Sequence, residues 1–126
     1  MLQKEVVERI CAKPNNRDYG KLSIMLQYKY KCRYLLDVPP ESFYPAPKVD
    51  SAIVSLTPRT DYDWHTVDEE KLNKVVSKAF SQRRKTVSNS LKELFSSEQL
   101  ISVGIDPQLR PENIELEKYI LLSQLI

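Results

Sequence analysis

Residues 69–95, EEKLNKVVSKAFSQRRKTVSNSLKELF, are the stretch from which the fold is most clearly predicted. Apolar side chains recur there every three or four residues, which is the spacing of one continuous helix face. The members of this face are Leu72, Val75, Val76, Ala79 and Phe80. Thr66 and Glu69 have the spacing of a capping box, and they predict where this helix begins.

The sequence that follows also has helical periodicity. A second apolar stripe consists of Val87, Leu91, Leu94 and Phe95. Ser96 and Gln99 are spaced to cap a short third helix, and Gly104 is placed to end it. A last helix is predicted from near Asn113, with an inward face made of Leu116, Tyr119, Ile120 and Leu125. Residues 61–126 are therefore predicted to form a small bundle of antiparallel helices.

The sequence before this region predicts helices and strands together. Two short helices are indicated by the apolar sets Val6, Val7, Ile10, Cys11 and Leu22, Met25, Leu26. Alternating side chains predict antiparallel strands at residues 31–38 and 51–57, joined by a stiff loop with four prolines in residues 39–47. We therefore predict an α+β fold with a boundary near Thr60, between a mixed segment 1–60 and a helical segment 61–126.

Composition limits the classes of function. The chain has 19 Lys and Arg against 17 Asp and Glu, and a net charge of +2 does not by itself indicate a nucleic-acid partner. No apolar run is long enough to span a membrane, and the charged start MLQKEVVERI is unlike a signal peptide, so a cytoplasmic location is expected. Cys11 and Cys32 are far apart and His65 is alone, which predicts neither a disulfide nor a metal site.

The strongest local charge feature is a run of four cations within eight residues: Lys78, Arg83, Arg84 and Lys85. Side chains of this kind near a helix boundary can clamp phosphates, and they then give salt-sensitive RNA binding. The alternative is a solvated helix end whose cations complement the helix dipole, worth about a few tenths of a kcal/mol. The residues alone leave both interpretations open.

Aromatic residues offer two further candidate sites. Lysines and arginine at positions 21, 29, 31 and 33 alternate with tyrosines at 19, 28, 30 and 34, which fits either base stacking or an ordinary core. Phe43 lies in the stiff proline loop, where it either stacks on a base taken out of its helix or plugs the loop. The chain has only two glycines, Gly20 and Gly104, and hence no G-x-G-x-x-G loop for a nucleotide cofactor. Its Ser and Cys residues have no neighbouring histidine, so no nucleophile and base are predicted.

Four blocks carry a family resemblance. They are MLQKEVVERI with YGKLS at 19–23, VPPESFYPAPKVDSAIVSL at 38–56, AFSQRRKTVSNSL at 79–91 and RPENI at 110–114. In these blocks the chain resembles the KsgA-type ribosomal RNA adenine dimethyltransferases, which are related to the Erm methyltransferases. The RRKTVSNSL segment favours the small-subunit branch over relatives that act on large-subunit rRNA.

The resemblance implies a function and a set of site residues. In that family a Rossmann-like domain binds S-adenosylmethionine, and a helical domain helps to hold a hairpin near the 3′ end of 16S rRNA, where two adjacent adenosines are dimethylated at N6. Residues 1–60 would then be the end of the catalytic domain and residues 61–126 the rRNA-binding domain. The immature small ribosomal subunit is the implied partner. By the same resemblance Arg83, Arg84, Lys85, Lys48 and Arg110 bind RNA, and Phe43 packs on the target adenine.

The donor-binding motifs of the family have no counterpart in this chain. We therefore expect the chain alone to bind no S-adenosylmethionine and to be inactive, and we expect no catalytic residue set to be complete in it. A strand edge left open should favour self-association through residues 32–56. The alternative function is a non-enzymatic module of the same family that binds nucleic acid or protein.

Overall fold

A computed structural model describes residues 1–42 and 50–126. In these residues an antiparallel sheet of three strands precedes most of the helices, and the predicted α+β class is confirmed. The strands are β1 (Leu2–Gln3), β2 (Tyr30–Val38) and β3 (Ser51–Pro58). The α-helices are α1 (Lys4–Cys11), α2 (Lys21–Gln27), α3 (Glu69–Phe80), α4 (Val87–Ser90), α5 (Ser97–Ser102) and α6 (Leu116–Ser123). Short 3₁₀ turns lie at Pro40–Ser42, Trp64–Thr66 and Pro111–Asn113.

The sheet has the order β1-β3-β2, so β3 is central and β2 forms one edge. Both predicted strands are present and pair antiparallel, from Tyr30 opposite Pro58 to Val38 opposite Ser51, with an irregularity between Tyr34 and Leu36. The first strand was not predicted, because two residues are too few for an alternating pattern. It exists through its pairing with β3, where Leu2 lies opposite Ala52.

Strand β2 is more exposed than its alternating pattern predicts. All five residues at 33–37 are exposed, and the side chains of Leu35 and Leu36 are 50% and 51% accessible. The predicted inward positions therefore hold only at the ends of the strand, where Cys32 and Val38 are half-buried. An edge strand of this kind presents unpaired backbone groups beside apolar side chains.

The core is centred on α3. Its predicted face is confirmed, because Leu72, Val75, Val76 and Ala79 are fully buried and Phe80 packs against them at the margin. The same cluster includes side chains from before and after the helix: Ala12, Tyr19, Ile24, Tyr28, Leu91, Leu100, Tyr119 and Leu122. The buried cluster thus joins residues on both sides of Thr60, and the division into two domains at that residue stays a prediction.

The start of α3 differs from the predicted capping box. Asp68 is the N-cap residue, and its Oδ1 accepts a hydrogen bond of 3.2 Å from the backbone N–H of Lys71. Thr66 belongs instead to the preceding 3₁₀ turn, where its hydroxyl donates to the carbonyl oxygen of Asp63. A nearby aspartate supplied the stronger cap.

The ends of α5 follow the prediction. Ser96 and Gln99 form a reciprocal capping box at its start. Gly104 follows its end with a φ of +84°, a conformation that favours glycine.

Two other helix predictions need correction. Helix α6 begins at Leu116 because Pro111–Asn113 forms a separate 3₁₀ turn, and Leu122 replaces the exposed Leu125 on the inward face. In α2 the buried residues are Ser23 and Ile24, whereas Leu22 is exposed. Ser23 turns this face inward, because its hydroxyl accepts from the N–H of Gly20 and donates to the carbonyl of Arg9.

Membrane-spanning helices and metal-binding clusters are both absent from the described part of the chain. None of its helices combines the length and the apolar character needed to cross a membrane. It also holds no group of three or more His, Cys, Asp or Glu side chains that would suit a metal ion.

Candidate nucleic-acid interface

The predicted basic cluster lies around the turn that joins α3 to α4. Helix α3 ends at Phe80, and the backbone N–H of Lys85 donates to the carbonyl of Gln82 over 3.0 Å within the turn. Helix α4 then begins at Val87, with Thr86 as its N-cap residue. Three of the cations therefore lie on a turn, and Lys78 lies in the last turn of α3. This agrees with the helix boundary that the sequence pattern indicated.

Arg83 has a structural role in this cluster. Its Nη2 atom donates to the carbonyl oxygen of Arg17 over 2.7 Å and also to the carbonyl of Tyr19. Its guanidinium carbon lies 5.5 Å from the centre of the Phe80 ring. Arg83 thus ties the loop before α2 to the end of α3, and only part of its donor capacity remains for a ligand.

Arg84 and Lys85 are the accessible members of the cluster. Both are exposed, and neither forms a salt bridge with any other described residue. Lys78 differs, because its Nζ lies 2.9 Å from Oε2 of Glu93 and lowers the pKa of that carboxyl. Arg84 and Lys85 are therefore the cations of this cluster best placed to meet a phosphate.

A second basic region adjoins Arg83, and the sequence pattern did not reveal it. Arg9, Arg17, Lys21 and Arg83 line a cleft of about 390 Å³ together with Asp18. Arg9 is partly neutralised there by Glu5, at 2.6 Å. Only tertiary packing brings residues near the start of the chain beside residue 83, so no local signal could have identified the cleft.

Arg110 is exposed and lies on a segment that adjoins the cluster. The backbone N–H of Val87 donates to the carbonyl of Leu109 over 2.8 Å, so the residues beside that bond, Thr86 and Arg110, lie on neighbouring segments. The Arg110 segment is anchored by the buried hydroxyl of Tyr119, which donates to the carbonyl of Pro111 over 2.6 Å. Phe43 and Lys48, the other predicted site residues, lie outside the described residues.

The segment of interleaved cations and tyrosines, residues 19–34, is partly in the core and partly on the surface. Tyr19 and Tyr28 are each only 1% exposed, which favours the core interpretation for them. Lys29 lies over the Tyr28 ring and forms a salt bridge of 3.1 Å with Glu69. Tyr34 is exposed and donates to Asp37, which raises the pKa of Tyr34 to about 12.

The two cysteines have no feature of a nucleophile. Both are half-buried and free, and burial raises the pKa of both thiols, that of Cys32 to about 11. Thiols with raised pKa values are protonated at neutral pH and react slowly. His65 is exposed and stacks on Trp64, with ring centres 3.9 Å apart. It is far from both cysteines in the sequence.

The chain belongs to the ribosomal RNA adenine dimethylase family, whose model matches residues 1–126. Among curated proteins it is similar to a ribosomal RNA small subunit methyltransferase A from Legionella pneumophila, with 53% identity over 126 residues, all of this chain and 49% of that protein. The protein of the same name from Neisseria meningitidis is 54% identical over 98% of this chain and 48% of its own length. The chain therefore spans about half the length of these relatives.

Solved structures support the same fold. A dimethyladenosine transferase from Plasmodium falciparum superposes with a TM-score of 0.79 at 22% identity, over 98% of this chain and 54% of that one. The 23S rRNA methyltransferase ErmE gives a TM-score of 0.64 at 21% identity, over 97% of this chain and 51% of that one. The described α+β arrangement is thus one that methyltransferase structures contain.

Proposed function

We propose that this chain is the RNA-binding, C-terminal part of an S-adenosylmethionine-dependent rRNA adenine N6,N6-dimethyltransferase. Its substrate is the 3′-terminal hairpin of 16S rRNA in the immature small subunit, where two adjacent adenosines are dimethylated. The observation that carries this proposal is the family match over residues 1–126. Relatives that are 50% to 54% identical and named small subunit methyltransferases support the choice of the small-subunit substrate.

The proposed RNA contacts start from the exposed cations. Arg84, Lys85 and Arg110 meet backbone phosphates, because they are accessible and lie on adjoining segments. Arg83 orients the turn and contributes its remaining donors. Neutralising phosphates releases counterions, so binding should weaken steeply as salt increases. Phe43 and Lys48 complete the proposed site, with Phe43 stacking on the target adenine and Lys48 contacting RNA.

The methyl donor needs residues that this chain does not supply. The chain contains two glycines and no glycine-rich phosphate loop, so we expect S-adenosylmethionine to bind to other parts of the complete enzyme. In this proposal residues 1–60 complete a Rossmann-like catalytic domain and residues 61–126 hold the rRNA. The complete enzyme would act in the cytoplasm, where the small subunit matures.

The first experiment is binding of this chain to the 3′-terminal small-subunit rRNA hairpin, followed by fluorescence anisotropy across a salt series. We expect preference over an unrelated hairpin and a loss of affinity as salt increases from about 50 to 200 mM. The variant Arg84→Ala/Lys85→Ala should weaken binding, and the slope of log affinity against log salt concentration should fall by about two released ions. Lys71 is an exposed lysine at the start of α3, and Lys71→Ala should change this slope little.

Two results would contradict the proposal. Equal affinity for both hairpins would show that this part of the enzyme does not recognise the 16S hairpin. Unchanged affinity and slope in the Arg84→Ala/Lys85→Ala variant would favour the alternative function, a module that docks on protein, because such a surface does not depend on counterion release.

A further inference from the structure

We propose that a groove between the second half of α3 and the α4 region is a phosphate-binding site built around the hydroxyl of Ser90. The groove encloses about 100 Å³. Its lining includes three lysines, Lys78, Lys85 and Lys92, with the amide side chains of Gln82 and Asn89. The phosphate is assigned to an RNA backbone, and in this respect the inference rests on the proposed function.

Ser90 is the feature that points to a ligand. This residue is only 3% exposed and lines the groove, and its hydroxyl has no hydrogen-bond partner within the described residues. Two other buried serines behave differently, because Ser23 donates to the carbonyl of Arg9 and Ser123 donates to that of Ile120 over 2.6 Å. A buried hydroxyl without a partner lowers stability, and its place on a residue that lines a lysine-rich groove points to a ligand that completes its hydrogen bonds.

A second unpartnered hydroxyl does not share this setting. Tyr19 Oη also lacks a partner among the described residues, but Tyr19 is not part of the groove lining. Its ring packs edge-on against Phe80, with ring centres 6.2 Å apart. Packing accounts for the ring of Tyr19 but not for its unpaired hydroxyl, and only Ser90 of the two lines a groove that also holds three lysines.

The charges of the groove select an oxyanion. Three lysines line it against one carboxylate, Glu93, so the lining carries a net charge of +2. Lys85 and Lys92 are exposed and form no salt bridge within residues 1–42 and 50–126. Lys78 is held 2.9 Å from Glu93, and a bound phosphate would compete with that carboxylate for it. A metal cation is excluded by the lysines, and an uncharged apolar ligand would leave all of these donors unused.

The position of the groove favours RNA as the source of the phosphate. Lys85 lines the groove and is also one of the two exposed cations in the turn after α3. A backbone that crosses this turn can therefore place one phosphate on Arg84 and a neighbouring one in the groove, where Lys85 meets it. Hydroxyl and ammonium donors of this kind are common partners of backbone phosphates.

The test combines Ser90→Ala and Lys92→Gln, with Ser123→Ala and Lys71→Gln as matched controls. Anisotropy with the 16S-type hairpin should show about tenfold weaker binding for Ser90→Ala, because a hydrogen bond to a charged group is lost. Lys92→Gln should lower the salt slope by about one ion, and Lys71→Gln should leave it unchanged. Thermal unfolding should show that Ser90→Ala is at least as stable as the parent chain, whereas Ser123→Ala is less stable.

A second titration separates this inference from the proposed function. Inorganic phosphate is added at constant ionic strength, set with chloride, while backbone amide shifts are followed by NMR. The site is supported if phosphate shifts the amide signals of Asn89, Ser90 and Lys92 and if these shifts are absent in Ser90→Ala. If the chain then binds no RNA, free phosphate is the ligand and the proposed function fails. A different result would overturn the phosphate site and leave the proposed function standing. In that result RNA binding depends on Arg84, but Ser90→Ala behaves like the parent chain in both titrations.

Discussion

At the scale of single residues, neighbouring cations in one motif have different surroundings. Arg83 reaches two backbone carbonyls of the loop before α2, at Arg17 and Tyr19, whereas the adjacent Arg84 is exposed. Sequence spacing cannot separate them, because the turn geometry decides which side chain points back to the protein. The same motif thus supplies a fold contact at one position and a free cation at the next.

This difference predicts that alanine substitution destabilises the protein at position 83 and has little effect at position 84. Arg83→Ala should lower the free energy of unfolding by about 1 to 3 kcal/mol, because two carbonyls lose a charged donor. Arg84→Ala should change it by less than about 0.5 kcal/mol, as is usual at exposed positions. Urea denaturation followed by circular dichroism measures both, and equal stability of the two variants would disprove the structural role of Arg83.

At the scale of secondary-structure elements, β2 is an edge strand with exposed apolar side chains. It lies at the sheet edge, and Tyr34, Leu35 and Leu36 are exposed along it. In the family this part of the chain is expected to adjoin a larger sheet. When this chain is studied alone, the edge should pair with a second copy.

We therefore predict self-association through residues 32–56 at high protein concentration. Light scattering should detect a dimer or larger species whose fraction rises with concentration. Leu36→Lys should shift the population to monomer, because a charge on an edge strand opposes pairing. Leu121→Lys places the same charge on an exposed leucine of α6 and serves as the control. A parent chain that stays monomeric throughout would contradict the prediction.

At the scale of the whole molecule, one core joins the helical region to the segment around α2. Tyr28 and Ile24 are buried in the same cluster as Leu72 and Val76. Further links cross the chain, such as the 2.9 Å hydrogen bond from Asn113 Nδ2 to Asn15 Oδ1. The basic turn and the cleft beside Arg83 are therefore held by the same hydrophobic core.

The proposed division of labour predicts no methyl transfer by this chain. Incubation with labelled S-adenosylmethionine and immature small subunits should give no incorporation, and calorimetry should detect no donor binding. The reason is that positioning the donor methyl against the target nitrogen needs groups beyond those in this sequence. Incorporation above that of a Phe43→Ala variant would overturn this assignment of the donor site.

Local sequence determined much of this protein. Apolar spacing identified α3 and its buried face, alternation identified β2 and β3, and the capping pair Ser96 and Gln99 located α5. These features depend on side chains within a few residues of one another, which is why periodicity reveals them. The family could also be recognised, because its motifs are contiguous blocks.

Tertiary structure alone decided the rest. Strand β1 exists only through its pairing with β3, and Arg83 acquires its partners from residues more than sixty positions away. The unpartnered hydroxyl of Ser90 and the lysines around it meet only when α3 and α4 pack. Burial and long-range hydrogen bonds are properties of packing, and a linear pattern contains no measure of them.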